Sequence, residues 1–138
     1  MKKRILIIED CETMQRFLKA YLKKEYEVVL AGSQKAAHFI LNTEPTFDAI
    51  LVDINLPDGN GVHFIKAFKN SIHQHIPVLA MSGMKDQQIR LNALEIGVAD
   101  FIVKPFIPRE MAIRIKKSIK EPSEQKLFLT APRMLFAN

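Results

Sequence analysis

Cysteine is nearly absent from this chain of 138 residues, since Cys11 is the only one. A single cysteine cannot form an intramolecular disulfide, which is typical of proteins from the reducing cytoplasm. Long apolar runs are also absent, because charged or turn residues interrupt each run well short of the ~18 residues that a membrane helix needs. The basic start, Met1 to Arg4, precedes only a short apolar run before Glu9, which is not a signal peptide. We therefore expect a cytoplasmic protein that does not bind a membrane.

Two further patterns are missing. Glu9 to Glu12 occupy the place where a dinucleotide-binding protein carries GxGxxG after its first strand, and the four histidines form no metal-ligand pattern. The net charge of +5 could indicate an acidic partner, but the basic residues are dispersed in small groups, mostly on predicted helix faces. We therefore expect neither dinucleotide nor nucleic-acid binding by this domain.

Five short apolar segments alternate with five amphipathic ones along the chain. The predicted strands are Lys3 to Glu9, Glu27 to Ala31, Ala49 to Asp53, Val78 to Met81 and Phe101 to Val103. Short apolar strands separated by amphipathic helices are typical of a parallel sheet covered on both faces. We predict an α/β fold, a three-layer sandwich with a five-stranded parallel sheet and five helices.

The helices are predicted from apolar spacing and from capping residues. Their apolar stripes comprise Met14, Phe17, Leu18, Tyr21 and Leu22; Ala37, Ile40 and Leu41; Ile65 and Phe68; Ile89, Ala93 and Ile96; and Ala112, Ile115 and Ile119. Ser33 is predicted to be the N-cap of the second helix, and Gly97 the C-cap of the fourth. Pro108 suits the first turn of the fifth helix.

The helical periodicity stops at Glu121. Pro122 to Gln125 indicate a break, and two apolar patches follow around Pro132. The 18 residues from Glu121 onward are too few for a second domain. We predict one domain over residues 1–120 and a C-terminal tail or linker over 121–138, which either docks on the domain or a partner or remains a disordered linker.

Polar side chains stand at the carboxyl ends of four predicted strands. Glu9 and Asp10 end the first strand and Asp53 the third, while Ser82 follows the fourth and Lys104 the fifth. In a right-handed βαβ arrangement these ends lie at one edge of the sheet, where ligands bind. Carboxylates that close repel one another unless a cation joins them, and Mg²⁺ prefers such oxygen ligands. A carboxylate beside Mg²⁺ and a lysine can act as a nucleophile toward a phosphoryl group.

These residues, with the segment Phe101 to Phe106, resemble the receiver domain of two-component response regulators over about Lys2 to Lys120. The resemblance implies the flavodoxin-like strand order 2-1-3-4-5. It also implies that Asp53 is the phosphoacceptor for a histidine kinase or a phosphotransfer protein. The chain would then catalyse only its own phosphorylation and dephosphorylation and would signal to a downstream effector protein or domain.

The resemblance further implies Mg²⁺ as the cofactor. Asp10 and Asp53 would be direct ligands, Glu9 would act mainly through water, and Asn55 would supply its backbone carbonyl. Asp53 would therefore be both a metal ligand and the phosphorylated residue.

The resemblance assigns the switch as well. Ser82 matches the hydroxyl residue that moves toward the phosphoryl group, Lys104 the lysine that pairs with that group, and Phe101 the aromatic residue that turns inward when Ser82 moves. The Lys104–Pro105 bond is expected to be cis. Phosphorylation would alter a binding surface around helix 4, strand 5 and helix 5, and a homodimer through that surface is a further expectation.

Two positions depart from the family pattern. Gly83 replaces the alanine often found after the hydroxyl residue, which predicts a more flexible loop. Met84 has no group that could position a hydrolytic water, which predicts slow self-dephosphorylation.

Alternatives remain at this stage. Phe101 could be a permanent core residue, and the whole chain could be an interaction module that works without phosphate. A haloacid-dehalogenase-type phosphatase also uses an aspartyl nucleophile, but it needs an acid two residues later, where this chain has Asn55. Its nucleophile would also be expected on the first strand, whereas Asp53 ends the third.

Overall fold

The computed structural model describes residues 2–83 and 87–119 of the chain. Five parallel strands form the main sheet: β1 Lys3–Ile8, β2 Tyr26–Ala31, β3 Ala49–Asp53, β4 Val78–Gly83 and β5 Asp100–Lys104. Their order is β2-β1-β3-β4-β5. The predicted parallel sheet and its 2-1-3-4-5 order are therefore confirmed.

Four helices connect the strands and a fifth follows the last one: α1 Glu12–Leu22, α2 Gln34–Thr43, α3 Gly61–Lys69, α4 Gln87–Ile96 and α5 Pro108–Ser118. Buried side chains from α2, α3 and α4 pack on one face of the sheet. Those from α1 and α5 pack on the other face. This arrangement is the predicted three-layer α/β sandwich.

The two faces of the sheet explain why the strands are continuous apolar runs. In β1, Ile5 and Ile7 pack toward α1 and α5, while Leu6 and Ile8 pack toward α2, α3 and α4. All four side chains are fully buried. Since successive strand residues point to opposite faces, a strand covered on both sides has no polar positions.

The predicted caps are confirmed at three helix ends. The Ser33 hydroxyl accepts a hydrogen bond from the Ala36 N–H at the start of α2, and Pro108 occupies the first turn of α5. Gly97, just beyond α4, has a φ of 94°, a left-handed conformation that favours glycine at a helix C-terminus.

The apolar stripe predicted for the first helix is wrong in part. Leu18 and Leu22 are buried, but the side chains of Phe17 and Tyr21 are 42% and 41% exposed. Among the described helices, only α1 and α5 cover this face of the sheet, and α1 buries a narrow stripe against it. The Phe17 ring instead stacks on Tyr21 at 6.1 Å and lies 6.4 Å from the ring of Phe106.

Other boundaries differ by a few residues. β1 ends at Ile8, so Glu9 lies just beyond it, and β4 continues to Gly83, so it includes Ser82. In α5, Met111 is fully buried while Ala112 is only partly covered. An antiparallel hairpin that pairs Asn55–Leu56 with Gly59–Asn60 was not predicted.

The tail or linker over 121–138 and Met84 both lie outside the described residues. Within the described ranges, no helix combines the length and the apolar character that crossing a membrane requires.

Candidate functional site

The register of the parallel strands brings the predicted polar residues to one edge of the sheet. Asp53, the last residue of β3, pairs with Met81 of β4, so Ser82 stands one residue farther along the neighbouring strand. Lys104, the last residue of β5, pairs with Gly83. Three neighbouring strands therefore end in, or next to, a functional side chain.

Lys104 joins the buried carboxylates at this edge. Its Nζ donates to Glu9 Oε1 at 2.8 Å and to Asp53 Oδ2 at 2.9 Å. The Glu9 side chain is 1% exposed and that of Asp53 8%. Buried carboxylates are costly unless a cation compensates them, and Lys104 supplies one positive charge for two negative ones.

The charge imbalance perturbs the acid–base properties of the pair. Burial, and after it the neighbouring Asp53 carboxylate, raises the pKa of Glu9 from 4.5 to about 7, although Lys104 opposes this rise. Burial lowers the pKa of Lys104, but its hydrogen bonds to Glu9 and Asp53 outweigh that effect, so the pKa is raised overall. Lys104 therefore stays protonated, and the site is one positive charge short when both acids ionise.

A divalent cation fits this shortage. Glu9, Asp10 and Asp53 each offer one carboxylate oxygen, and these three oxygens lie within 4.8 Å of one another. Glu9 Oε2 is buried and has no hydrogen-bond partner among the described residues. Asp10 is exposed, which leaves the cluster open to solvent on that side. A small hard ion that keeps some of its waters, such as Mg²⁺, suits this donor set.

The residues after Asp53 form a compact loop over the site. The Asn55 N–H donates to Asp53 Oδ1 at 2.9 Å, whereas Lys104 donates to Oδ2, so both oxygens of the carboxylate are held. The chain then returns so closely that a Cβ at Gly61 would lie 2.7 Å from Ile54 Cα and 2.8 Å from the Asp53 carbonyl oxygen. Gly61 is needed for this close approach, a role that its position after a turn did not reveal.

Ser82 and Phe101 are both buried. Ser82 is 1% exposed, and the Phe101 ring is 5% exposed and packs among the core side chains beneath α4. The Arg90 guanidinium of α4 lies 5.7 Å from the centre of that ring. The structure thus places Phe101 inward. The Lys104–Pro105 peptide bond is cis, as expected.

The structure therefore brings six of the predicted site residues to one edge of the sheet: Glu9, Asp10, Asp53, Asn55, Ser82 and Lys104. Phe101 lies three residues before Lys104 in β5, where it pairs with Ala80, so it is not at that edge. A cavity of about 590 Å³ opens elsewhere, between Asp48, Lys69 and Lys117, and none of the site residues lines it. Cys11 is exposed at the N-cap position of α1, and its side chain makes no capping hydrogen bond.

A family profile described as the response regulator receiver domain matches residues 5–116. Among curated proteins, the transcriptional regulatory protein SrrA of Staphylococcus aureus is 32% identical over 120 residues, which cover 87% of this chain and 49% of SrrA. The chain thus spans about half the length of the curated relatives it matches.

Solved structures are similar over most of the chain. A putative response regulator from Chloroflexus aurantiacus superposes with a TM-score of 0.78 at 28% identity, covering 86% of this chain and 98% of that one. The receiver domain of the sensor histidine kinase PA1611 from Pseudomonas aeruginosa has a TM-score of 0.77 at 26% identity, with coverage of 86% and 98%. That receiver domain was crystallised with a magnesium ion coordinated in its active-site cleft.

Proposed function

Since the chain belongs to the response regulator receiver domain family, we propose that it is a phosphorylation switch in which Asp53 accepts a phosphoryl group from a histidine kinase or a phosphotransfer protein. One observation carries the proposal. The buried Asp53 carboxylate lies 2.9 Å from Lys104 Nζ and has the carboxylate oxygens of Glu9 and Asp10 within 4.8 Å.

The transfer replaces one bond to phosphorus by another. An Asp53 carboxylate oxygen attacks the phosphorus of a phosphohistidine, an O–P bond forms, and the N–P bond breaks as the imidazole leaves with its electron pair and takes a proton. After the transfer, the Lys104 ammonium donates a hydrogen bond to a phosphoryl oxygen in place of the one it donates to Asp53. Such transfer depends mainly on positioning and on compensation of charge.

The proposed metal site consists of the Glu9, Asp10 and Asp53 carboxylates and the Asn55 backbone carbonyl. A bound Mg²⁺ would neutralise charge on the phosphoryl oxygens and on the carboxylates around them. Glu9 contributes a buried carboxylate to this site, and Asp10 contributes an exposed carboxylate. The Asn55 N–H donates to Asp53 Oδ1, and Lys104 Nζ donates to Asp53 Oδ2. We assign the attack on phosphorus to Oδ2.

We further propose that the phosphoryl group shifts a two-state equilibrium. A shift from 1:99 to 99:1 requires about 5.5 kcal/mol of differential stabilisation. Charge-assisted hydrogen bonds contribute about 1.5–3 kcal/mol each, so Ser82, Lys104 and backbone donors could together supply it. Phe101, which packs beneath α4, would transmit the movement of Ser82 to that helix.

The output surface proposed here comprises α4, β5 and α5. Leu91 and Leu94 of α4 are 51% and 48% exposed, and Ile113 of α5 is 47% exposed. Large apolar side chains on the outside of a domain suit contact with a downstream effector or a second copy of the chain. Size-exclusion chromatography that shows only monomer, with and without phosphorylation, would count against the second copy.

The proposed activity is confined to the chain's own phosphorylation and dephosphorylation. A phosphatase acting on an external ester would need an acid near the nucleophile to protonate the leaving alcohol. The residue two positions after Asp53 is Asn55, whose exposed amide has no acidic proton. Turnover of a phosphate ester would revive that alternative.

Intact mass spectrometry after incubation with acetyl phosphate tests the proposal. We expect a single phosphoryl adduct that requires Mg²⁺ and disappears in Asp53→Asn. Asp48→Asn is the matched control, because Asp48 precedes the opposite end of the same strand and bonds the Arg4 N–H there. The absence of an adduct on folded native protein would instead favour an interaction module that works without phosphate.

A further inference from the structure

The loop that follows Asp53 is tied to a helix that lies outside the site. Asp58 Oδ1 accepts a hydrogen bond from the Gln34 N–H at 3.0 Å, and Asp58 Oδ2 accepts one from the Lys35 N–H at 3.1 Å. Both donors belong to the first turn of α2. One carboxylate from the loop therefore binds the N-terminus of a separate helix.

This contact completes the hydrogen bonding of the first turn of α2. A helix leaves its first N–H groups without intrahelical partners. Here the hydroxyl of Ser33, the N-cap residue just before α2, accepts a hydrogen bond from the Ala36 N–H. The Asp58 carboxylate accepts hydrogen bonds from the N–H groups of Gln34 and Lys35. The positive end of the helix dipole also favours a carboxylate at this point. Asp58, from the loop that follows Asp53, thus accepts two of these three capping hydrogen bonds.

A second bond runs in the opposite direction. The Gln34 side-chain amide donates to the Asn60 carbonyl oxygen at 3.3 Å. Gly59, between Asp58 and Asn60, has a φ of 140°, and a Cβ there would lie 3.0 Å from Gln34 Nε2. Position 59 therefore favours glycine, both for its backbone conformation and for the close approach of the Gln34 side chain.

The tied loop leads directly to the site. Asp58 stands at the turn of the hairpin in which Asn55 pairs with Asn60 and Leu56 with Gly59. At the other end of the hairpin, the Asn55 N–H holds Asp53 Oδ1 at 2.9 Å. A continuous series of hydrogen bonds and hairpin residues thus connects the start of α2 to the Asp53 carboxylate.

From this series we infer that Asp58 is a positioning residue for the phosphoacceptor site. Its carboxylate fastens the hairpin to α2 and so holds the Asn55 backbone and the Asp53 carboxylate in place. The inference rests on the proposed function of Asp53. The N–H donors of Gln34 and Lys35 also lower the pKa of Asp58, so the carboxylate remains charged at neutral pH.

The test compares Asp58→Ala with Ser33→Ala. Both variants remove a cap from the same helix end, but only the first releases the loop. Residues that orient metal ligands from outside typically change affinity or activity about 10–100-fold. We expect Asp58→Ala to weaken Mg²⁺ binding, measured by calorimetry, and to slow phosphorylation by acetyl phosphate, each about tenfold. Ser33→Ala should remain within about twofold of the native protein in both measurements.

A third measurement needs neither metal nor phosphate. Amide hydrogen exchange, followed by NMR in the metal-free protein, should show that the Asn55 amide loses protection in Asp58→Ala and keeps it in Ser33→Ala. Asp58→Asn, whose single amide oxygen can replace only part of the carboxylate, should give intermediate values in all three measurements.

Two results would overturn the inference. In one, Asp58→Ala binds Mg²⁺ and is phosphorylated like the native protein. In the other, both alanine variants lose affinity and rate equally, which would mean that the stability of α2 alone is responsible. If the native chain were never phosphorylated, the proposed function would fail, whereas Mg²⁺ binding and Asn55 exchange would still decide whether Asp58 positions the loop.

Discussion

Replacing Glu9 by glutamine should stabilise the metal-free protein while destroying its metal site. Glu9 is buried, and its pKa rises from 4.5 to about 7 because burial and Asp53 disfavour its charge. Glutamine has nearly the same shape, and its side-chain oxygen can still accept from Lys104 Nζ, 2.8 Å from Glu9 Oε1 in the native chain. The variant therefore removes the charge and keeps the packing.

The magnitude follows from the difference between the folded and unfolded pKa values. For an acid whose folded pKa is raised, the folded state binds more protons than the unfolded state between the two values, so stability falls as pH rises. The window here runs from 4.5 to about 7. At ~1.4 kcal/mol per pKa unit, the charge costs the folded native protein up to about 3 kcal/mol at pH 8 and little near pH 4.5.

Urea unfolding followed by circular dichroism measures this cost, and the sequence has no tryptophan for a fluorescence signal. In EDTA at pH 8, Glu9→Gln should be more stable than the native chain by about 2–3 kcal/mol, and the difference should shrink below about 1 kcal/mol by pH 5. Saturating Mg²⁺ should stabilise the native protein and have little effect on the variant.

Glu95→Gln, which removes an exposed carboxylate of α4, is the matched control. It should change neither the stability in EDTA nor the stabilisation by Mg²⁺. Two results would contradict this prediction: Glu9→Gln destabilises the metal-free protein at pH 8, or its stability advantage does not depend on pH. Either result would mean that Lys104 already compensates both carboxylates.

Three further predictions concern single contacts. Lys104→Met leaves Glu9 and Asp53 without their cation and should lower the free energy of unfolding by about 3 kcal/mol at pH 8, and by less at pH 5. An equal loss at both pH values would mean that the effect of Lys104 is not electrostatic. Gly61→Ala places a Cβ against the Ile54 backbone and should lower the free energy of unfolding by about 1–3 kcal/mol and slow phosphorylation by acetyl phosphate. Native stability and a native rate would show that the loop can move to accommodate the Cβ. Leu18→Ala should cost about 2–5 kcal/mol, and Phe17→Ala, with its ring 42% exposed, much less; similar losses in urea unfolding would restore the wider stripe predicted for α1.

The sequence was sufficient for the parallel sheet because each central strand is a continuous apolar run. The burial of Ile5 to Ile8 on two faces requires such a run, and helical spacing between the strands leaves one common architecture. The position of Glu9, Asp53 and Lys104 at one edge follows from the parallel arrangement alone. Their roles, however, came from the resemblance to a family and not from spacing.

What the sequence did not reveal depends on which side chains meet across the fold. Phe17 and Tyr21 have the correct helical spacing for a core stripe, but spacing does not say how many helices share a face of the sheet. The contact of Asp58 with α2 joins residues more than twenty positions apart in the sequence. No local pattern marks such a pair, since Asp, Gly and Pro are common in any turn.

Asp53 is the one of three clustered carboxylates to which we assign the phosphoryl group. Borohydride reduces an acyl phosphate to an alcohol, so treatment after incubation with acetyl phosphate and Mg²⁺ converts a phosphorylated aspartate to homoserine, which peptide mass spectrometry can locate. We predict homoserine at position 53 only, with Glu9 and Asp10 unchanged and no conversion in EDTA. Conversion at Glu9 or Asp10 instead, or the same conversion without Mg²⁺, would mean that Asp53 is not the Mg²⁺-dependent phosphoacceptor.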